Sequence, residues 1–295
     1  MTTPFHAGER MVQQRMGQAD IAGRVGRMIR RDIPAVAADF LAEQSMVVLG
    51  AADTYGRMWA SQLSGPPGFL RAAGADTVLV DARPAPGDPL HEASAHEIGV
   101  GMIALQPQRR RRMRVNGTAT PEDDGLRIVT DQVYSNCPKY ISRREIRSYD
   151  PTVRAEPRRS VALDERQCAA ITAADTFFLA TADTDGHADA SHRGGNPGFL
   201  EVLAPDRLRW PDYRGNSMFM TLGNIAVNPR CGILIPDWAT GGSLQLTGTA
   251  ELVWEETAFT AGAQCSIEFT VTEVVDTSAT GPLRWGPAEL SPVNP

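Results

Sequence analysis

The chain has 295 residues, room for one large domain or two ordinary ones, and with 42% of them hydrophobic it can bury a sizeable core. Its net charge of −6 argues against a general nucleic-acid binder, and because Lys139 is the one lysine among 29 basic residues, guanidinium is its default anion ligand. The opening MTTPFHAGERMVQQ lacks a signal-peptide core, no stretch is apolar enough to span a bilayer, and Cys137, Cys168, Cys231 and Cys265 form no CxxC pair, so a cytoplasmic protein with reduced thiols and no membrane partner is expected.

Residues 9–31 carry Met11, Met16, Ile21, Val25 and Ile29 at roughly helical spacing and predict one helix, packed as a lid. From residue 40 the chain repeats itself. FLAEQSMVVLGAADTYGRMWASQLSGPPGFL aligns with ITAADTFFLATADTDGHADASHRGGNPGFL, bringing Asp53 onto Asp183, Gly56 onto Gly186, Ser61 onto Ser191 and PGFL onto PGFL at one constant spacing. VNGTA then matches LTGTA one residue further apart. So many shared turn and strand positions identify two copies of one domain in tandem. The predicted layout is a helical segment 1–39, a first repeat 40–146, a linker 147–166, a second repeat 167–278 and an extended tail 279–295.

Within the first repeat, HEASAHE offers His91 and His96, which on a helix would point about 140° apart and so do not form a zinc-type pair. No metal site is expected. The run RRRRMR (residues 109–114) reads as the start of a strand on an edge, half of it facing solvent. The linker is marked by Asp150-Pro151, Pro157 and many charges. In the second repeat, residues 177–182 and 187–193 flank the hairpin turn Thr184-Asp185-Gly186, and residues 230–236, 243–254 and 266–276 supply longer strands. Short antiparallel strands with one or two helices per copy predict a mainly β fold with peripheral helices, each copy a small closed or partly open barrel.

The stretch 188–225 concentrates the candidate chemistry. A polar strand, residues 188–193, of the type that lines a barrel is followed by a Gly/Pro turn, apolar strands at 199–203 and 207–211, a loop at 212–217, and a helix starting at 218. Arg214 and Asn216 flank Gly215 just before that helix. Helix-start amides with guanidinium and amide donors can hold a phosphate. Trp59, Trp210, Trp238 and Tyr213 could stack on a cofactor or substrate ring, or simply pack, with Trp238 the best placed.

These residues resemble the pyridoxamine 5′-phosphate oxidase-like family of split β-barrel flavoproteins. The resemblance runs through GHADASHRGGNPGFL, WPDYRGNSMFMTLGNI and LQLTGTA, with YSNCPKYI and the tail PLRW…SPVNP also similar. FHAGE resembles a subgroup in which the tandem chain is sometimes joined to a reductase module. The resemblance implies two tandem split β-barrels that form an intrachain pseudo-dimer, with FMN in a cleft between them. It implies that Arg214, Gly215, Asn216 and Ser217, beside Tyr213, hold the FMN phosphate. It further implies that Ser191, His192 and Arg193 contact the ribityl chain or ring edge, and that Lys139 reaches in from the first repeat.

The first repeat departs from this pattern. It has ARPAPGDPLHEASAHEIG where the second has the Arg-Gly-Asn loop, and SQLSG where the second has SHRGG. Asp88 and its acidic neighbours there would repel a phosphate. The expectation is one FMN per chain, in an oxidoreductase acting on a small organic substrate or as a flavin reductase. A separate reductase partner and further homodimerisation are compatible with it. On this reading Arg214→Ala costs a few kcal/mol of FMN binding. The alternatives are a deazaflavin-dependent reductase on the same fold and a non-catalytic flavin- or haem-binding module.

Overall fold

The computed structural model describes residues 4–153, 156–255, 261–277 and 281–295; the remaining positions of the expected linker, second repeat and tail lie outside the described residues. Two sheets dominate. The first is built from β1 (Met46–Ala52), β2 (Met58–Ser64), β3 (Leu70–Ala72), β4 (Thr77–Val80), β5 (Ile98–Gln106), β6 (Arg111–Glu122) and β7 (Gly125–Ser135). Two short strands follow, β8 (Ile146–Tyr149) and β9 (Arg158–Ser160). The second sheet contains β10 (Thr176–Ala182), β11 (Ala188–Gly194), β12 (Glu201–Ala204), β13 (Arg207–Tyr213), β14 (Arg230–Pro236), β15 (Ser243–Val253) and β16 (Ala263–Asp276), and β17 (Leu283–Trp285) ends the series. Helices α1 (Ala7–Arg15) and α2 (Ala19–Val25) precede the barrels, α3 (Ala35–Ala42) and α4 (Glu165–Ala173) introduce one barrel each, and α5 (Met220–Val227) belongs to the second.

The strand order is β2-β1-β5-β6-β7-β4-β3 in one sheet and β11-β10-β14-β15-β16-β13-β12 in the other. These are the same path with each strand replaced by its repeat partner. The chain is two tandem split β-barrels paired within one polypeptide, the two copies that the repeat implied and the pairing that the resemblance implied.

Side-chain alternation explains why the central strands are apolar on both faces. On β1, Val47, Leu49 and Ala51 enter the first barrel's core while Met46 and Val48 enter a separate cluster between the barrels. On β10, Phe177 and Leu179 fill the second barrel's core and Phe178, Ala180 and Ala182 join that same middle cluster. Two glycines let the barrels touch. A Cβ on Gly101 would lie 2.4 Å from Asp189 Cα, and one on Gly232, its repeat counterpart, 2.6 Å from Trp59 Cα. Only hydrogen fits at these crossings.

Several expectations are corrected. The helix expected over residues 9–31 is two helices and a 3-10 turn, broken around Gly17, which takes φ +64°. The strand read at 199–203 begins at Glu201, and the helix read from 218 begins at Met220. Arg111–Glu122 is an interior strand, not an edge, because β5 and β7 flank it. The charged stretch between the barrels is partly ordered into sheet: β8 pairs with β17 and β9 with β16. The tail is anchored as well as extended, since Leu283 and Trp285 are buried in the middle cluster. No described helix is long and apolar enough to cross a membrane.

Candidate functional site between the barrels

A cleft of about 740 Å³ of empty space, mouth included, lies where the first barrel's β6 and the loop after β7 meet β11, β13 and the start of α5. The first barrel contributes Arg112, Arg114, Asn136, Cys137 and Tyr140. The approach is tight: a Cβ on Gly194 would sit 1.9 Å from the carbonyl oxygen of Tyr140, a residue that itself takes φ +65°. Gly194 therefore admits the first barrel's loop to the end of β11.

Alternation along β6 turns Arg112 and Arg114 inward. Arg114 donates to Asp189 at 2.8 Å and to the Tyr134 hydroxyl at 3.2 Å, a compensated buried charge. Arg193 pairs with Asp212 at 3.2 Å. Arg112 has no carboxylate partner among the described residues. Its Nη1 lies 2.7 Å from His192 Nδ1, and its Nε is buried without an acceptor. Burial, together with the repulsion of Arg114 and Arg193, pulls the Arg112 pKa down to about 9. Desolvation first, then Arg112, Arg193 and Arg114, push His192 well below its ordinary value, so its imidazole is neutral. A guanidinium only donates, so Nδ1 must accept and the ring proton sits on Nε2. That Nε2 is buried without a partner, as are Arg193 Nε and Asn136 Oδ1.

The far wall is the loop 214–219 and α5. Ser217 and Phe219 take φ +62° and +57°, and Phe219, the residue before α5, gives the helix no side-chain cap. Met220, Thr221 and Leu222, the first turn of α5, line the cleft. Their uncapped amides and the partial positive charge of a helix start add to the arginines. Tyr140 and Tyr213 pack at 5.3 Å between ring centroids, a pair of aromatic edges within the lining.

The sequence-expected residues divide. His192, Arg193, Tyr213, Gly215, Asn216 and Ser217 line the cleft together. Ser191 is buried behind them, accepting from Thr221 Oγ1 at 3.0 Å. Arg214 is exposed and does not line the cleft; its carbonyl accepts from the Tyr140 hydroxyl at 3.1 Å. Lys139 is half-buried and also outside the lining. Of the aromatic candidates, Trp59 and Trp210 are wholly buried in the two barrel cores, and Trp238 lines a different pocket. Arg112 and Arg114 were missed because RRRRMR was read as an edge.

Asp183, Asp185 and His187 lie close enough to share a metal ion, but Asp183 is engaged by His187 Nδ1 at 2.8 Å and by the amides of Asp185 and His187, as in an ordinary hairpin turn. His91 is not part of this group; its ring meets the Pro84 carbonyl oxygen at 2.8 Å.

The same position in the first barrel is built differently. By register, Ser243 and Gln245 of β15 stand where β6 has Arg112 and Arg114, and Gln62 and Leu63 stand for His192 and Arg193. Asp88 is half-buried there, accepting from Ser61 Oγ at 2.7 Å and Gln245 Nε2 at 3.2 Å. Burial raises its pKa.

Residues 163–278 match the family model described as pyridoxamine 5′-phosphate oxidase. No curated protein matches. Solved structures similar to the chain include an FMN-binding protein from Syntrophomonas wolfei (11% identity, 38% of this chain and 85% of that one, TM-score 0.31). An F420 reductase matches at 16% identity over 35% of this chain and 90% of its own, with TM-score 0.27. HutZ, the haem storage protein of Vibrio cholerae, matches at 14% identity over 39% of this chain and 95% of its own, with TM-score 0.29. The family match places the second barrel, residues 163–278, in the pyridoxamine 5′-phosphate oxidase-like family.

Proposed function

We propose that the protein is an FMN-dependent oxidoreductase with one cofactor site per chain, in the cleft between its barrels. The observation that carries this reading is Arg112, a half-buried arginine from the first barrel whose Nε is buried without an acceptor and which has no carboxylate partner among the described residues, opposite the uncapped start of α5 from the second. A cation partly withdrawn from water and left without a counter-charge favours an anion, and donors unpaired in the same wall need acceptors. A flavin phosphate and the carbonyl edge of its ring meet both needs.

On this reading Gly215, Asn216, Ser217 and the first turn of α5 hold the phosphate by amide and side-chain donors. His192 Nε2–H, fixed as a donor by Arg112, and Arg193 face the ring and its polyol chain. Tyr140 and Tyr213 shape the opening through which a small organic substrate enters. FMN supplies the hydride or electron transfer when bound, which accounts for the absence of a nucleophile–base pair in the lining. The chain's own part is to orient the ring, exclude water and place positive charge beside it. Iron ligation by His192 is disfavoured, since the Nε2 lone pair a metal needs is occupied by the ring proton.

Reconstitution of the purified chain with FMN tests the proposal. A flavin spectrum that bleaches under reduced nicotinamide or a reductase and recovers with an acceptor supports it. Failure to retain FMN, with uptake of a deazaflavin or haem instead, overturns it.

A further inference from the structure

A second pocket, enclosing about 1590 Å³ of empty space with its mouth, opens where the turn after β14, α4 and the C-terminal tail meet, and it shares no lining residue with the cleft. The tail builds it. Trp285 on β17 donates its backbone N–H to the Trp238 carbonyl at 2.7 Å, and the two indoles meet edge to face at 5.7 Å. Ile235, Leu244 and Leu290 extend the apolar wall. Among the described residues the arrangement occurs once, because the first barrel has Pro107 in place of Trp238.

Both indole Nε1 atoms are buried with no hydrogen-bond acceptor among the described residues, although Trp285 is 95% buried by its 5% exposure. Two orphan donors in one wall call for an acceptor. The charges in the lining are mostly spoken for. Arg144 makes two bonds of 2.8 Å to Asp175 and stacks 4.6 Å from the centre of the Trp238 ring. Arg166 pairs with Asp276, and the Asp237 carboxylate accepts from the amides of Ala239 and Thr240. Arg147, exposed at the rim beside Gly286, has no carboxylate partner among the described residues.

We infer that this pocket binds a flat aromatic carboxylate: the ring lies on the tryptophan wall, the carboxylate accepts from the indole N–H groups, and Arg147 balances its charge. One uncompensated cation matches a single negative charge, and the mainly apolar wall selects a ring over a free inorganic anion. The site is independent of the FMN reading, and its ligand does not need to react.

The test uses the full chain with 1-naphthoate as probe and the indole ¹H–¹⁵N signals of its five tryptophans as readout. Trp238→Phe and Trp285→Phe assign the two signals of interest. The expected result is saturable movement of those two signals, weakened about tenfold by Arg147→Gln and by replacing the probe with the neutral 1-naphthalenemethanol. Arg147 is exposed, so its variant folds even where a tryptophan variant does not. No movement at millimolar probe, or equal binding of the neutral alcohol, overturns the inference. Movement confined to tryptophans other than these two overturns it as well. The absorbance of added FMN, followed in parallel, keeps this result separate from the fate of the cleft.

Discussion

Arg112 and His192 come from different barrels, and their 2.7 Å contact settles what each can do in the cleft. The guanidinium keeps its charge at neutral pH, and the imidazole is held as an Nε2–H donor. Arg112→Met is expected to weaken FMN binding about ten- to a hundredfold, the range for losing a charged hydrogen bond in a buried site. Arg214→Ala, by contrast, removes an exposed side chain and is expected to change affinity less than about threefold. Calorimetric titration of both variants with FMN checks the order; equal losses, or a larger one at Arg214, contradict it. This reverses the weight that sequence gives these residues. Arg214 stands next to Gly215 and Asn216 in a readable motif, whereas the inward turn of Arg112 depends on β7 pairing beside β6 and on the second barrel closing the cleft. Strand alternation says that half of RRRRMR faces each way. It cannot say which face meets a partner that lies some eighty residues on in the chain.

At the scale of elements, the N-terminal helices clamp the loop 214–219. Gln13 Nε2 donates to the Met218 carbonyl at 2.9 Å and Ser217 Oγ to Gln18 Oε1 at 2.6 Å, holding the two left-handed residues in place. Helix α1 crosses α5 at paired glycines: a Cβ on Gly223 would lie 2.5 Å from Glu9 Cα, and one on Gly8 2.3 Å from the Gly223 carbonyl oxygen. Gly223→Ala is expected to cost about 1–3 kcal/mol through forced separation of the helices. It should also speed proteolysis of the N-terminal segment; an unchanged thermal midpoint contradicts this. Glu9 is buried at the same crossing, and desolvation pushes its pKa from 4.5 up to about 8. Between those values the folded chain holds a proton that the unfolded chain has released, so stability falls as pH rises through the window. Glu9→Gln should flatten the decline in thermal midpoint between about pH 5 and 8; an undiminished slope contradicts that assignment. The lid was legible from the apolar spacing of residues 9–31. Its break at Gly17 and its glycine crossing were not, because the glycines' role appears only once α5 lies against them.

For the whole molecule, duplication is the organising fact, and it was the most legible feature of the sequence. Shared turns at Asp53/Asp183 and Gly56/Gly186, with PGFL repeated, are local signals, and the two sheets follow the same strand order. What the repeat alone could not show is how the copies divided the work. Pseudo-symmetry creates two clefts, one lined by Arg112, Arg114, His192 and Arg193, the other by Ser243, Gln245, Gln62 and Leu63 around a half-buried Asp88. A phosphate is attracted by the first set and repelled by the second. In this account each barrel completes the one working site, the first by lending β6 and the Tyr140 loop, the second by supplying β11 and α5. The measurement that tests this most directly is the quantity of FMN retained per chain after saturation and removal of free cofactor. About one equivalent is expected, lost in the Arg112→Met variant at concentrations that saturate the unaltered chain. Two equivalents, or none, would contradict it.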